Sequence, residues 1–133
     1  MKKTIILGLI GAASVMLVSF MQAGTLKESV ERGKTVYEST CMSCHMTEGE
    51  GLEGAFPPLA GTGRLGDKAR LVKIIYNGLS GPIKVKGKEF NMEMTPLPHL
   101  SDQEAADVLN YVRNSWGNKG AEIKPAEIAK LKK

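Results

Sequence analysis

The apolar positions of this chain change period several times along its length, and each change marks an element. Residues 5–21 form an uncharged, mostly apolar run without amphipathic period. After it, Leu26, Val30, Gly33 and Tyr37 recur at i, i+4, i+7 and i+11 on a polar background, which predicts a helix over 26–39. Residues 48–66 lose that period; they are dense in glycine, contain Pro57-Pro58 and read as loop. The only apolar patch in this loop, 56–59, needs something to cover. Leu71, Ile74, Ile75 and Leu79 then mark one face of a helix over 67–79, with Asp67 as its cap and Gly78 near its end. The period shortens to two at Ile83 and Val85, alternating with Lys84 and Lys86, and Gly87 suits the turn of a short hairpin over 83–90. Ser101 and Glu104 have the spacing of a capping box. Ala105, Val108, Leu109 and Val112 follow it at i, i+3, i+4 and i+7, Tyr111 and Trp116 widen the stripe, and Gly117 stops the helix. Gly33 weakens the first helix unless another helix approaches closely there, and this last one is the natural partner. Residues 118–133 read as a polar, lysine-rich tail with Pro125 at the first position of one short helical turn, 126–131. There is no internal repeat.

The opening run carries no fold information of its own. Lys2-Lys3 ahead of it and Ala23 behind it give residues 1–23 the form of an export signal. An uncleaved anchor is the alternative, because the run approaches spanning length and Met21 is a poor residue at the −3 position of a cleavage site. The formal charge of +4 drops to +2 once Lys2 and Lys3 are set aside, so the chain lacks the basic excess of a nucleic-acid binder. Three Phe, three Tyr and one Trp are few large side chains for so small a domain, and something else is expected to fill its centre.

Both cysteines of the chain lie in Cys41-Met42-Ser43-Cys44-His45. This C-x-x-C-H spacing is the haem c attachment signature. Two thiols about one helical turn apart can each add to a haem vinyl group, and the adjacent imidazole then meets the iron as proximal ligand. An exported thiol oxidoreductase would also use C-x-x-C, but at the end of a strand opening a helix, and no strand pattern precedes Cys41. A zinc site recruiting His99 would normally show two histidines three to five residues apart, which this chain lacks.

With these motifs in order, CMSCH, GAFPPLAG, YNGLSGPIKVKGKEF and HLSDQEAADVLNYVRNSWGN, the chain resembles the class I c-type cytochromes over roughly residues 25–133. More narrowly, it resembles the small bacterial periplasmic monohaem domains that occur alone or fused to larger oxidoreductases. The resemblance implies an all-α fold of three to five helices wrapped around one covalently bound haem c, with long loops and room for one short hairpin. The cytochrome domain would span 24–117. Cys41 and Cys44 would bind the vinyl carbons, His45 would be the proximal iron ligand, and the Pro57 carbonyl would accept a hydrogen bond from the other imidazole nitrogen. The terminal helix would cross the first at Gly33 and Tyr37.

The distal ligand is expected in Asn91 to His99, NMEMTPLPH. Met92 and Met94 point the same way in an extended loop, so periodicity does not separate them. In the resembled family the ligand stands six residues before the Leu that opens the last helix, and six before Leu100 is Met94. Thr95 departs from the pattern, since proline usually follows the ligand and here comes only at Pro96. Met92 is the runner-up and His99 a minor alternative that would give bis-histidine ligation. Met/His ligation leaves no open iron site, so the implied function is one-electron transfer in the periplasm, without enzyme activity of its own. The expected partners are transient redox donors and acceptors, with membrane contact only if residues 1–23 stay attached. A dedicated cytochrome subunit of a larger respiratory complex is the alternative function, and a non-haem thiol oxidoreductase the remote one.

Overall fold

The structure, a computed structural model, describes residues 24–133. The expected export segment lies outside the described residues. Among these, α1 (Leu26–Thr40), α2 (Met42–His45), α3 (Lys68–Asn77), β1 (Ile83–Val85), β2 (Lys88–Phe90), α4 (Asp102–Asn114) and α5 (Pro125–Leu131) follow in that order. The fold is all-helical with a minor two-stranded sheet, as the sequence leads one to expect. None of the described helices is long and apolar enough to cross a membrane.

Helices α1 and α4 cross at Gly33, and the reason for glycine is steric. A Cβ placed there would lie 1.9 Å from the Asp107 carbonyl oxygen and 2.9 Å from Tyr111 Cβ. Both helices start on a capping box, Thr25 with Glu28 and Ser101 with Glu104, which satisfies amide groups that the first turn leaves unpaired. Beside the crossing, Tyr37, Tyr111 and Trp116 pack as a triad with ring centroids 5.1 to 5.3 Å apart. On the other side, the buried Asp107 carboxylate accepts from Arg32 Nε at 2.7 Å, Arg32 Nη2 at 2.8 Å and Gln103 Nε2 at 3.0 Å. A carboxylate this buried needs such pairing.

Asp67 caps α3 as expected, accepting from the Arg70 amide at 3.0 Å. The helix ends at Asn77, two residues short of the expected limit, because Gly78 turns the chain at φ +74°. Leu79 thereby leaves the helix and exchanges two backbone hydrogen bonds with Met94, at 3.0 and 2.8 Å. The hairpin pairs Ile83 with Phe90 and Val85 with Lys88 around Lys86-Gly87, both at positive φ, as a two-residue turn between twisted strands requires.

Residues 118–133 differ most from the sequence reading. Ile123 and Ile128 are fully buried, and the segment straps the backs of α3 and α4 instead of trailing as a polar tail. Asn110 fastens it, donating from Nδ2 to the Ile123 carbonyl and accepting at Oδ1 from the Ile123 amide. Pro125 does open α5 at its first position. The strap also explains why α4 buries Asn110 and Arg113 as well as its apolar stripe.

Candidate haem-binding site

The attachment residues occupy the seam between α1 and α2. Helix α1 runs to Thr40, the Cys41 amide still donates to the Tyr37 carbonyl at 2.8 Å, and one further turn, α2, carries Cys44 and His45. Met46, at φ 63°, then reverses the chain, and the Tyr37 hydroxyl donates to its carbonyl at 2.6 Å. The turn returns residues 49–60 alongside His45: the Gly51 amide donates to the His45 carbonyl at 3.0 Å, and those of Leu59 and Ala60 to the Gly49 carbonyl.

This loop brings Pro57 to His45. The imidazole Nδ1 lies 3.0 Å from the Pro57 carbonyl oxygen. A carbonyl only accepts, so Nδ1 carries the proton and Nε2 keeps its lone pair. Burial pushes the His45 pKa below the usual imidazole value, against the opposing pull of the Pro57 carbonyl, which favours the neutral, ligand-competent ring. Burial, with a smaller contribution from Cys44, pushes the Cys41 thiol up to about 11.

Cys41, His45, Pro57 and Met94 all line one apolar cleft, whose empty space including its mouth is about 890 Å³. Its walls are aliphatic, from α3 (Leu71, Ile74, Ile75) and α4 (Val108, Leu109, Val112). The 56–59 patch divides: Pro57, Pro58 and Leu59 face this cleft, and Phe56 lines a neighbouring cavity under the hairpin. The expected parity of the two methionines does not hold. Met94 is drawn to the cleft by its backbone pairing with Leu79, whereas Met92 is 56% exposed and lines neither cavity. Gly78 makes this possible, since a Cβ there would lie 2.4 Å from the Met94 carbonyl oxygen. His99 is exposed, two residues before the cap of α4, and is absent from the cleft lining. Among the described residues no group of three or more His, Cys, Asp or Glu is placed to hold a metal ion by itself.

The cleft fits a haem by its chemistry: a wide aliphatic slot with a thiol, a neutral imidazole and a thioether on its walls. The Cys41 and Cys44 spacing is that of covalent haem c attachment. Sequence comparison agrees, the cytochrome c family profile matching residues 30–116. The chain belongs to the cytochrome c family. It is 36% identical to cytochrome c-552 of Thermus thermophilus over 88% of this chain and 83% of that protein. A second Thermus thermophilus cytochrome c-552 is 37% identical over 76% of this chain and 82% of its own length. The cytochrome c subunit of a quinone alcohol dehydrogenase from Gluconobacter oxydans is 36% identical over 75% of this chain but only 22% of its own length. As a c-type cytochrome domain, the chain acts in electron transfer and is not itself a catalytic enzyme.

Two cleft residues escape the sequence reading. Arg64, in the loop before α3, and Arg70, in its first turn, are the only Lys or Arg residues in the lining, which contains no carboxylate. The available signal was Arg70 standing one helical turn before Ile74, on the apolar face of α3.

Proposed function

We infer that this cytochrome c domain is the one-electron-transfer unit of a larger respiratory oxidoreductase outside the cytoplasm. In this reading Cys41 and Cys44 hold a haem c, His45 is its proximal ligand and Met94 its distal ligand. The observation that carries the reading is the common cleft: His45 and Met94 line the same apolar space as Cys41, with Met92 outside it. When bound, the group supplies an iron centre that takes up and releases one electron.

The chain's own residues do three things around it. Pro57 holds the His45 ring by Nδ1 and leaves Nε2 as the coordinating nitrogen. The two-way pairing with Leu79 restrains Met94, and Pro96, packed where Gly78 lacks a side chain, stiffens the loop behind it. Aliphatic walls from α3 and α4 exclude water, which with a thioether ligand favours a higher potential. His45 and Met94 would together hold the group and leave no coordination place for a substrate, which would suit electron transfer.

The relatives named as cytochrome subunits of dehydrogenases and as a subunit of a cbb3-type cytochrome c oxidase support a lasting partner better than a free shuttle. The two cytochrome c-552 relatives of similar length favour a second reading, a free periplasmic carrier. The export form of residues 1–23 supports delivery to the periplasm in either case. Purification from the native host at high salt decides between the two. Co-elution of the full chain with a dehydrogenase or oxidase polypeptide is expected. Elution as a lone haem protein would select the free carrier, and a chain without covalently bound haem absorbance would sink both.

A further inference from the structure

The strap of residues 118–133 lies beyond the span that matches the family profile, and the electron-transfer reading gives it no task. Besides its Asn110 fastening to α4, it is tied to α3 at two places. At the first, Lys68 donates from Nζ to the Glu122 carbonyl and to Glu127 Oε1, both at 2.9 Å. At the second, the end of the strap, Leu131 packs on the core and Lys132 reaches two groups: its Nζ pairs with Asp102 Oδ1 and lies 5.4 Å from the centre of the Tyr76 ring. Roughly 12 Å of helix separates Lys68 from Tyr76. Only the second tie touches the frame of the Met94 loop. Half-buried Tyr76, in the last turn of α3, donates from its hydroxyl to the Leu100 carbonyl at 3.1 Å, with Asp102 Oδ1 at 3.5 Å, and Asp102 opens α4. The loop between the two helices is also held by the Leu79 pairing with Met94 and by the Leu97 amide, which donates to the Ile75 carbonyl at 2.8 Å. Tyr76 to Leu100 is thus a third tie across this loop, and Lys132 sits on it.

We propose that Tyr76, Asp102 and Lys132 are positioning residues that latch the end of the strap onto the Met94 loop and hold the thioether in the cleft against competing ligands. The proposal rests on the reading of Met94 as distal ligand. A thioether is a soft ligand for ferric iron, so its retention depends on the cost of moving the loop that carries it. Tyr76 supplies the direct bond to that loop. Lys132 acts through it: the ammonium occupies Asp102 Oδ1, the acceptor that competes with the Leu100 carbonyl for the Tyr76 proton, and rests its charge over the ring face. Lys132 is 39% exposed, so its share is smaller than that of Tyr76.

The test titrates the ferric holoprotein with imidazole, which displaces a thioether from haem iron, and follows loss of the weak near-infrared sulfur-to-iron band at fixed pH. Guanidinium unfolding is measured in parallel. Tyr76→Phe is expected to lower the imidazole midpoint about fivefold, the worth of one net hydrogen bond, and Lys132→Gln about twofold. Lys132→Arg keeps a cation that pairs with Asp102 and should stay close to wild type. Lys68→Gln cuts the strap's other tie and should leave the imidazole midpoint unchanged, however much stability it costs. Lys130→Gln removes an equal charge from an exposed position of α5 and should also leave it unchanged. Lower unfolding midpoints for Tyr76→Phe and Lys132→Gln with an unmoved imidazole midpoint would make the cluster merely structural and overturn the proposal. An imidazole effect of Lys68→Gln equal to that of Lys132→Gln would overturn it too, because the loop would then sense the strap as a whole. Should Tyr76→Phe fail to accumulate, Lys132→Gln decides alone, an unmoved imidazole midpoint sinking the latch. Failure of the distal-ligand reading shows separately, as a near-infrared band that survives Met94→Ala.

Discussion

At the scale of single residues, the site turns on which methionine enters the cleft, and backbone pairing decides it. Met92 and Met94 are chemically identical and two residues apart, so sequence separates them only through the spacing to Leu100 that the family resemblance supplies. In the folded chain Met94 exchanges two hydrogen bonds with Leu79 and lines the cleft, while Met92 stands in solvent. Replacing Met94 with Ala should abolish the weak near-infrared sulfur-to-iron band of the ferric protein and lower its potential. Met92→Ala should leave both as in wild type. Loss of the band on changing Met92 and not Met94 would reverse the assignment. For Cys41, Cys44 and His45 the proposal rests instead on the spacing of five consecutive residues.

Among the elements, the α1–α4 crossing is the joint on which the attachment turn depends, because α1 leads directly into Cys41. Gly33 permits the crossing, and any larger residue must push Asp107 or Tyr111 away. Gly33→Ala is therefore expected to destabilise the holoprotein by about 3 kcal/mol, read as a lower guanidinium midpoint with unchanged slope. Gly66→Ala is the control: it has open space around it and no positive φ, and should stay within about 0.5 kcal/mol of wild type. An equal effect at the two positions would mean that the crossing can relax. Elements with a strong local signal were legible in the sequence: both crossing helices, the Asp67 cap, the hairpin over 83–90 and the Ser101 capping box. Those shaped by non-local partners were not. The early end of α3 depends on Met94 arriving at Gly78, and the strap depends on Ile123 and Ile128 reaching a surface prepared by α3 and α4. Nothing periodic in a lysine-rich stretch announces that surface.

For the molecule as a whole, the sequence's shortage of large side chains has a structural counterpart. Helices α3 and α4 turn aliphatic residues such as Ile74, Ile75, Leu109 and Val112 into the cleft. The candidate site is thus also the middle of the core, so cofactor binding and folding are coupled. Away from the cleft the core holds the α1–α4 joint, the aromatic triad, Val72 of α3 and the strap. Removing both attachment points with Cys41→Ala and Cys44→Ala, in cells unable to supply haem, should give a chain with helical far-ultraviolet dichroism but without near-ultraviolet signals from Tyr37, Tyr111 and Trp116. It should also bind a hydrophobic dye strongly and melt without a sharp transition, as expected when secondary structure outlives specific packing. A cooperative transition with an intact near-ultraviolet spectrum would show that the α1–α4 joint and the strap fold the chain unaided. In that case the cleft would be a preformed socket, and the scarcity of large side chains would need an explanation other than a core completed by the cofactor.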